Sequence, residues 1–184
     1  MRKSELLNAS EEQVILKYES ATGKACFVEF LMRYLVDEFM KIQKIPLLNG
    51  TIKRSTGVIK PFIIRNAWDK NCKLEEIQEQ IIDTFRLSEI DKKNLILSRE
   101  VRNRLFHGDF FGLATLLSLN LKCEDLSSTG QLNTDDRIKC LMALDKAPNQ
   151  YILSKCEALF NENKKMLIDL QDHPLVQKKI ILND

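Results

Sequence analysis

Helix breakers are scarce in this chain: its 184 residues include 6 glycines and 4 prolines. A sequence so poor in turn formers favours long helices over a sheet that must reverse direction every few residues. The length fits one domain, or one domain with an insertion. A hydrophobic share of 44% is enough for a core that needs no covalent staples. The expected architecture is therefore an all-α bundle formed by residues 1–184 as a single domain.

Apolar spacing and breakers place the elements. Ser10, Glu11, Glu12 and Gln13 form a capping-box pattern, which predicts a short helix to about Glu19. Thr22 opens a second, longer helix in which Phe27, Phe30, Leu31, Tyr34, Leu35 and Phe39 repeat at helical spacing, and Pro46 ends it. Residues 46–66 break the pattern. Asn49-Gly50 and Ser55-Thr56-Gly57 are turn signals between short β-branched runs, so a loop or small hairpin is inserted in the helical frame. Helical spacing returns with Leu74, Ile77, Ile81, Ile82 and Phe85. Ser88 caps the next helix, which Gly108 stops. Further helices are expected over 110–121, after Thr134 with Ile138, Leu141 and Met142, and from Pro148 through Ile152, Leu159, Met166, Leu167 and Leu170. A polar loop at 125–133 separates the first two of these. Pro174 closes the last, and residues 175–184 form a loosely held tail.

Several function classes fall away on composition. The net charge of +2 neither demands nor forbids a polyanionic partner, because a basic patch can sit on a nearly neutral surface. Cys26, Cys72, Cys123, Cys140 and Cys156 are odd in number and form no CxxC pair, which reads as free thiols in a reducing cytosol. His107 and His173 are the only histidines, so neither a metal nor a cofactor is expected. There is no GxxxxGK[ST] or GxGxxG for a nucleoside triphosphate. Ser127, Ser128 and Thr129 have no adjacent base to make a nucleophile. Residues 1–12 lack the apolar run of a signal peptide, and no apolar run is long enough to span a bilayer, so a cytoplasmic protein with no membrane partner is expected.

One segment carries chemistry. On a helix over 94–107, Leu97, Val101 and Leu105 form a core stripe, with Glu100 and Arg104 beside it as an i,i+4 ion pair. Arg99, Arg102, Asn103, Phe106 and His107 share the opposite arc with Leu95 and Ile96. A second face that mixes apolar residues with Arg, Asn and His points to a covering helix or a partner subunit. His107 at the helix C-terminus can exchange protons near neutral pH. Arg102 offers a permanent planar cation for a phosphate or a phosphorane-like transition state. Asn103 can orient the imidazole or bond the ribose. Read by residue type alone, the same segment is also an ordinary cationic last turn closed by glycine.

The run Arg102-Asn103-Arg104-Leu105-Phe106-His107-Gly108 resembles the R-x4-6-H motif of the HEPN superfamily, including its polar residue after the Arg and its Gly after the His. The resemblance covers about seven residues and agrees with the helical frame. It implies a HEPN-like bundle that forms a homodimer, with two motifs facing each other in a composite cleft. It also implies metal-independent cleavage of single-stranded RNA to a 2′,3′-cyclic phosphate. His107 would be the acid or base, Arg102 the phosphate stabiliser and Asn103 the supporting polar group. Many such proteins are toxins or antiviral-defence effectors, some controlled by an antitoxin or another regulatory protein. HEPN toxins paired with nucleotidyltransferase antitoxins often carry a Tyr two residues after the His; here Asp109 stands there, so control through that Tyr has no support. The alternative implied by the family is a non-catalytic module that binds a partner protein, nucleotide or RNA.

Arg99, Arg65 and Trp68 are further candidates for contact with RNA. Trp68 beside Arg65 can stack a base, although a lone Trp also serves as partly buried packing. Lys53, Arg54 and Lys60 make the insertion basic, and His173 carries no assigned role.

Overall fold

The computed structural model describes residues 9–53, 56–109, 112–113, 115–117 and 149–177. In order they form α1 (Ala9–Gln43), β1 (Leu48–Lys53), β2 (Ile59–Ile64), α2 (Leu74–Phe85), α3 (Glu89–Phe106) and α4 (Asn149–Asp169), and a 3-10 turn at Leu170–Asp172 follows. The fold is thus mainly α with one small sheet. The chain groups into two compact units, Met1–Ala25 with Glu100–Phe160 and Cys26–Arg99 with Asn161–Asp184. Among the described residues, no helix is long and apolar enough to cross a membrane.

In the first unit, the break expected near 20–22 does not occur, and α1 runs through it. The helix is also already under way at Ala9, ahead of Ser10, the expected cap. Nothing between Glu19 and Thr22 stops a helix, and Ala21 is completely buried. On α4, Glu157 collects three donors from α1: Lys24 Nζ at 2.8 Å, Ser20 Oγ at 2.5 Å and Lys17 Nζ at 3.4 Å. These bonds fasten the expected break point from outside. Leu153, Cys156 and Phe160 form the buried face of α4 here, with Val101, Leu105 and Leu113 also enclosed. Burial pushes the Cys156 thiol up to about 12, which leaves it inert.

The second unit is built on the remainder of α1. Val28, Met32, Leu35, Val36 and Phe39 are its buried face, whereas Phe27, Phe30 and Tyr34, which repeat at helical spacing along with Leu35 and Phe39, lie on the outside. Aromatics on two sides of one helix satisfy the same spacing, so the pattern could not choose between the faces. α1 ends before Pro46 through a Schellman closure: Lys44 takes φ 54, the Ile45 N–H donates to the Met40 carbonyl at 2.9 Å and the Lys44 N–H to that of Lys41 at 3.2 Å.

The insertion is an antiparallel hairpin, with Leu48 opposite Ile64 and Gly50 opposite Phe62. Asn49-Gly50, expected as a turn, therefore lies inside β1. The reason is the facing ring: a Cβ on Gly50 would stand 2.2 Å from Phe62 Cζ, so the glycine makes room for an aromatic across the ladder. The last pair of the ladder is instead Lys53 with Ile59, so the strands are joined beyond Lys53. Leu48, Ile52, Phe62 and Ile64 alternate onto one face and are buried with Ile77, Ile81 and Phe85 of α2. Each such side chain contributes about 1.5–3 kcal/mol on burial.

On α3 the buried residues are Leu95, Ser98, Val101 and Leu105, with Leu97 only half-buried. The core stripe is thus turned from the expected Leu97–Val101–Leu105 line, and Leu95 belongs to the core and not to the outer arc. Ser98 fits there because its Oγ donates to the Leu95 carbonyl at 2.8 Å. The start of the tail is held: Val176 is buried, and Gln43 Nε2 donates to the Leu175 carbonyl at 2.8 Å. His173 stands edge-on to Phe85 at 5.2 Å and accepts the Leu175 N–H on Nδ1, a structural role. Gly112, Leu113 and residues 115–117 are helical. The rest of 110–121, the loop at 125–133, the helix after Thr134, Arg54, Cys123, Cys140, Pro148 and residues 178–184 lie outside the described residues.

Candidate functional site

The motif occupies the C-terminal turn of α3, in the first unit. Its backbone is closed twice over. Gly108 at φ 65 lets its own N–H donate to the Leu105 carbonyl at 3.1 Å and the Asp109 N–H to the Arg104 carbonyl at 2.9 Å. That is the Schellman arrangement expected of a glycine placed here. From α1, Tyr18 Oη donates to the same Leu105 carbonyl at 2.7 Å. A long-range bond to a carbonyl of the last turn ties the helix end that carries His107 to α1.

Gly112 and Leu113, a few residues on, are helical again. Asp109 performs two tasks: its Oδ1 accepts the Gly112 N–H at 2.8 Å as a helix cap, and its Oδ2 pairs with Arg104 at 2.7 Å. The Gly112 N–H and then the Arg104 guanidinium hold the Asp109 carboxyl below its ordinary carboxylate value, with His107 adding a smaller coulombic pull. Arg104 is thus committed to Asp109 rather than to Glu100, the expected i,i+4 partner. Neither Tyr18 nor the role of Asp109 was visible in the sequence. Tyr18 acts across 87 positions, and an Asp two residues after the motif looks like any loop acid.

The three motif side chains differ in exposure. Arg102 is half-buried, while Asn103 and His107 are exposed. Arg102 Nη1 donates to Asn103 Oδ1 at 3.0 Å, and its guanidinium lies over the Phe106 ring, 4.6 Å from the centroid. Phe106 is itself 39% exposed, an aromatic kept in water to support a cation. With Oδ1 accepting from Arg102, the Asn103 amide keeps its NH2 as a donor. Among the described residues, no side chain hydrogen-bonds the His107 imidazole. Arg102 and His107 are five positions apart, which turns them by about 140° around the helix axis. The hydrogen bond brings Arg102 and Asn103 together, and His107 stands on a different sector from Arg102.

The other candidates fall in the second unit. Arg99 pairs with Glu75 at 3.3 Å and is only 23% exposed, so its charge is already engaged. Arg65 is exposed and Trp68 is 44% exposed. One side of the indole rests against Phe30 at 5.4 Å between centroids. Among the described residues, no three His, Cys, Asp or Glu side chains gather as a metal site would require. No protein-family model, curated protein or solved structure matches this chain, and the functional reading rests on these side chains and their geometry.

Proposed function

We propose that the chain is a metal-independent endoribonuclease of HEPN type acting on single-stranded RNA as a homodimer, with a toxin or antiviral-defence role. The observation that carries the reading is the arrangement at the end of α3. A guanidinium oriented by Asn103 and Phe106, and an imidazole on a different sector, stand on a turn fixed by Gly108, Tyr18 and Asp109. Cleavage by the neighbouring 2′-hydroxyl needs a group that moves a proton and a charge that stabilises the phosphorane. His107 supplies the first and Arg102 the second. Asn103 holds Arg102 through its acceptor Oδ1, which leaves its NH2 to donate to a phosphate or ribose oxygen. The spread of about 140° between Arg102 and His107 suits a cleft shared by two copies, where each approaches the phosphodiester from one side.

The test is incubation of the full chain with single-stranded RNA in excess chelator. We expect fragments ending in 2′,3′-cyclic phosphate, lost in His107→Ala and in Arg102→Ala while the helical circular dichroism is unchanged. Intact RNA with a folded, dimeric wild-type chain would refute the nuclease reading. Binding without any cyclic-phosphate product would leave the non-catalytic module in its place.

A further inference from the structure

The second unit contains a cleft of about 690 Å³ lined by Asp37, Lys41, Lys44, Arg65, Asn66 and Trp68 together with the apolar Met40, Ile45 and Pro46. That volume lies in the range of about 300–1,000 Å³ usual for small-molecule sites. Its charge is uneven. Asp37 is already neutralised by Lys41 at 2.6 Å. Lys44 and Arg65 are exposed and make no ion pair with any described residue. Two uncommitted cations and an exposed indole therefore line the same cleft.

The segment that carries Trp68 is also braced by hydrogen bonds. The Trp68 N–H donates to Asn66 Oδ1 at 2.8 Å, and the Asn71 N–H to Asp69 Oδ1 at 2.7 Å. Arg33, paired with Glu29 at 3.1 Å, donates to the carbonyls of Ala67 and Cys72, so both ends of the loop that presents Trp68 are clamped to α1. Phe30, in contact with Trp68, continues into a ladder with Phe27 and Tyr34. Those rings lie within 14° of parallel at 6.1 Å spacing, and all are more than a third exposed. Exposed aromatics beside cations are the composition of a single-strand platform: stacking accepts any base, and the cations meet the phosphates.

We infer that this cleft is a single-stranded RNA subsite in which a base stacks on Trp68 and the adjoining phosphates lie against Lys44 and Arg65. The choice of RNA among phosphate-bearing ligands rests on the nuclease reading above. The placement of the subsite rests on the cleft itself.

Trp68 is the only tryptophan in the chain, so its emission reports on this cleft alone. The probe is a short 2′-O-methyl oligouridine, which lacks the nucleophile and stays intact whether or not the chain is a nuclease. Added to the full wild-type chain, it should quench Trp68 to saturation. The double substitution Lys44→Ala with Arg65→Ala should weaken binding about tenfold or more at moderate salt. It should also lower the magnitude of the slope of log affinity against log salt by about 1.4, the loss of two single-strand phosphate contacts. With a labelled oligonucleotide read by anisotropy, Trp68→Ala should lose at least about fivefold and Trp68→Phe should keep most of the affinity. Unquenched emission at saturating oligonucleotide would overturn the inference, as would an unchanged salt slope in the double variant. Cleavage of unmodified RNA with a silent Trp68 would leave the nuclease and remove the subsite, whereas a quenched Trp68 with intact RNA would do the reverse.

Discussion

Gly108→Ala isolates the turn that carries His107. Gly108 sits at φ 65, and a Cβ built on it meets nothing within 4 Å, so the substitution adds backbone strain without a steric clash. The left-handed conformation costs an alanine about 1–2 kcal/mol relative to glycine, and the reduced freedom of the unfolded chain offsets part of that. A net loss of about 1 kcal/mol follows, or roughly 2–4 °C in Tm for a chain of this size. Urea unfolding should show a lower midpoint at unchanged m. Gly108→Asn should lose less, because Asn tolerates this conformation. Arg86 provides the opposite case. It closes α2 at φ 49 with an exposed side chain, so Arg86→Gly should gain stability. A domain of ordinary stability that loses 1 kcal/mol remains more than about 99% folded. Any fall in RNA cleavage by Gly108→Ala at 25 °C then reports on the placement of His107 and not on unfolding. A Gly108→Ala chain as stable as wild type, or an Asn variant weaker than the Ala one, would refute the conformational argument.

Three further substitutions test contacts inside the individual units. Gly50→Ala drives a Cβ into the Phe62 ring and should cost about 1–3 kcal/mol; a double-mutant cycle with Phe62→Leu should recover part of it, and purely additive losses would count against the contact. Arg33→Lys keeps the charge but loses the fork that reaches the Ala67 and Cys72 carbonyls, for about 1.5–3 kcal/mol by denaturant midpoint, and a loss near zero would show that the clamp contributes nothing. Burial alone would raise the Glu157 carboxyl, but Lys24, Ser20 and Lys17 outweigh it and hold it below its ordinary value. A carboxylate depressed on folding adds stability above its unfolded pKa of about 4.3 and loses it as pH falls through the depressed value. Glu157→Gln should therefore flatten the stability–pH curve below about pH 4.5, and an identical acid limb would exclude the cluster as its source.

Helix α3 and the turn that closes it were legible because the signals there are local. Ser88 accepts the Asp91 N–H as a cap, Gly108 stops the helix, and the hairpin insertion lies within 46–66 as its β-branched runs suggested. The misreadings share one cause: the deciding partner is distant in sequence. Asn49-Gly50 spells a turn until Phe62 is placed opposite it. The expected gap in α1 at 20–22 is bridged by Glu157, more than a hundred residues away. Phe27, Phe30 and Tyr34 repeat at the spacing of a core face, and only the position of Trp68 shows them to be an outer ladder. Tyr18, which anchors the motif helix, carries no local mark at all. Periodicity locates a helix, but when both its faces hold apolar residues the rest of the chain decides which one is buried.

The angle between Arg102 and His107 leads to a test that separates a shared site from two independent ones. If one copy supplies the imidazole and a two-fold mate the guanidinium, a dimer of one Arg102→Ala and one His107→Ala chain retains a single complete pair, made by the intact His107 of the first and the intact Arg102 of the second. The other pairing lacks both groups. Equal amounts of the two inactive variants, unfolded and refolded together, form mixed dimers about half the time, so cleavage should return to about one quarter of the wild-type level. If each chain uses its own Arg102 and His107, no dimer in the mixture holds a complete pair and cleavage stays at the level of the single variants. A co-refolded mixture that dimerises normally but remains inactive would therefore show that the helix end works within one chain. It would also remove the geometric argument for a cleft built from two copies.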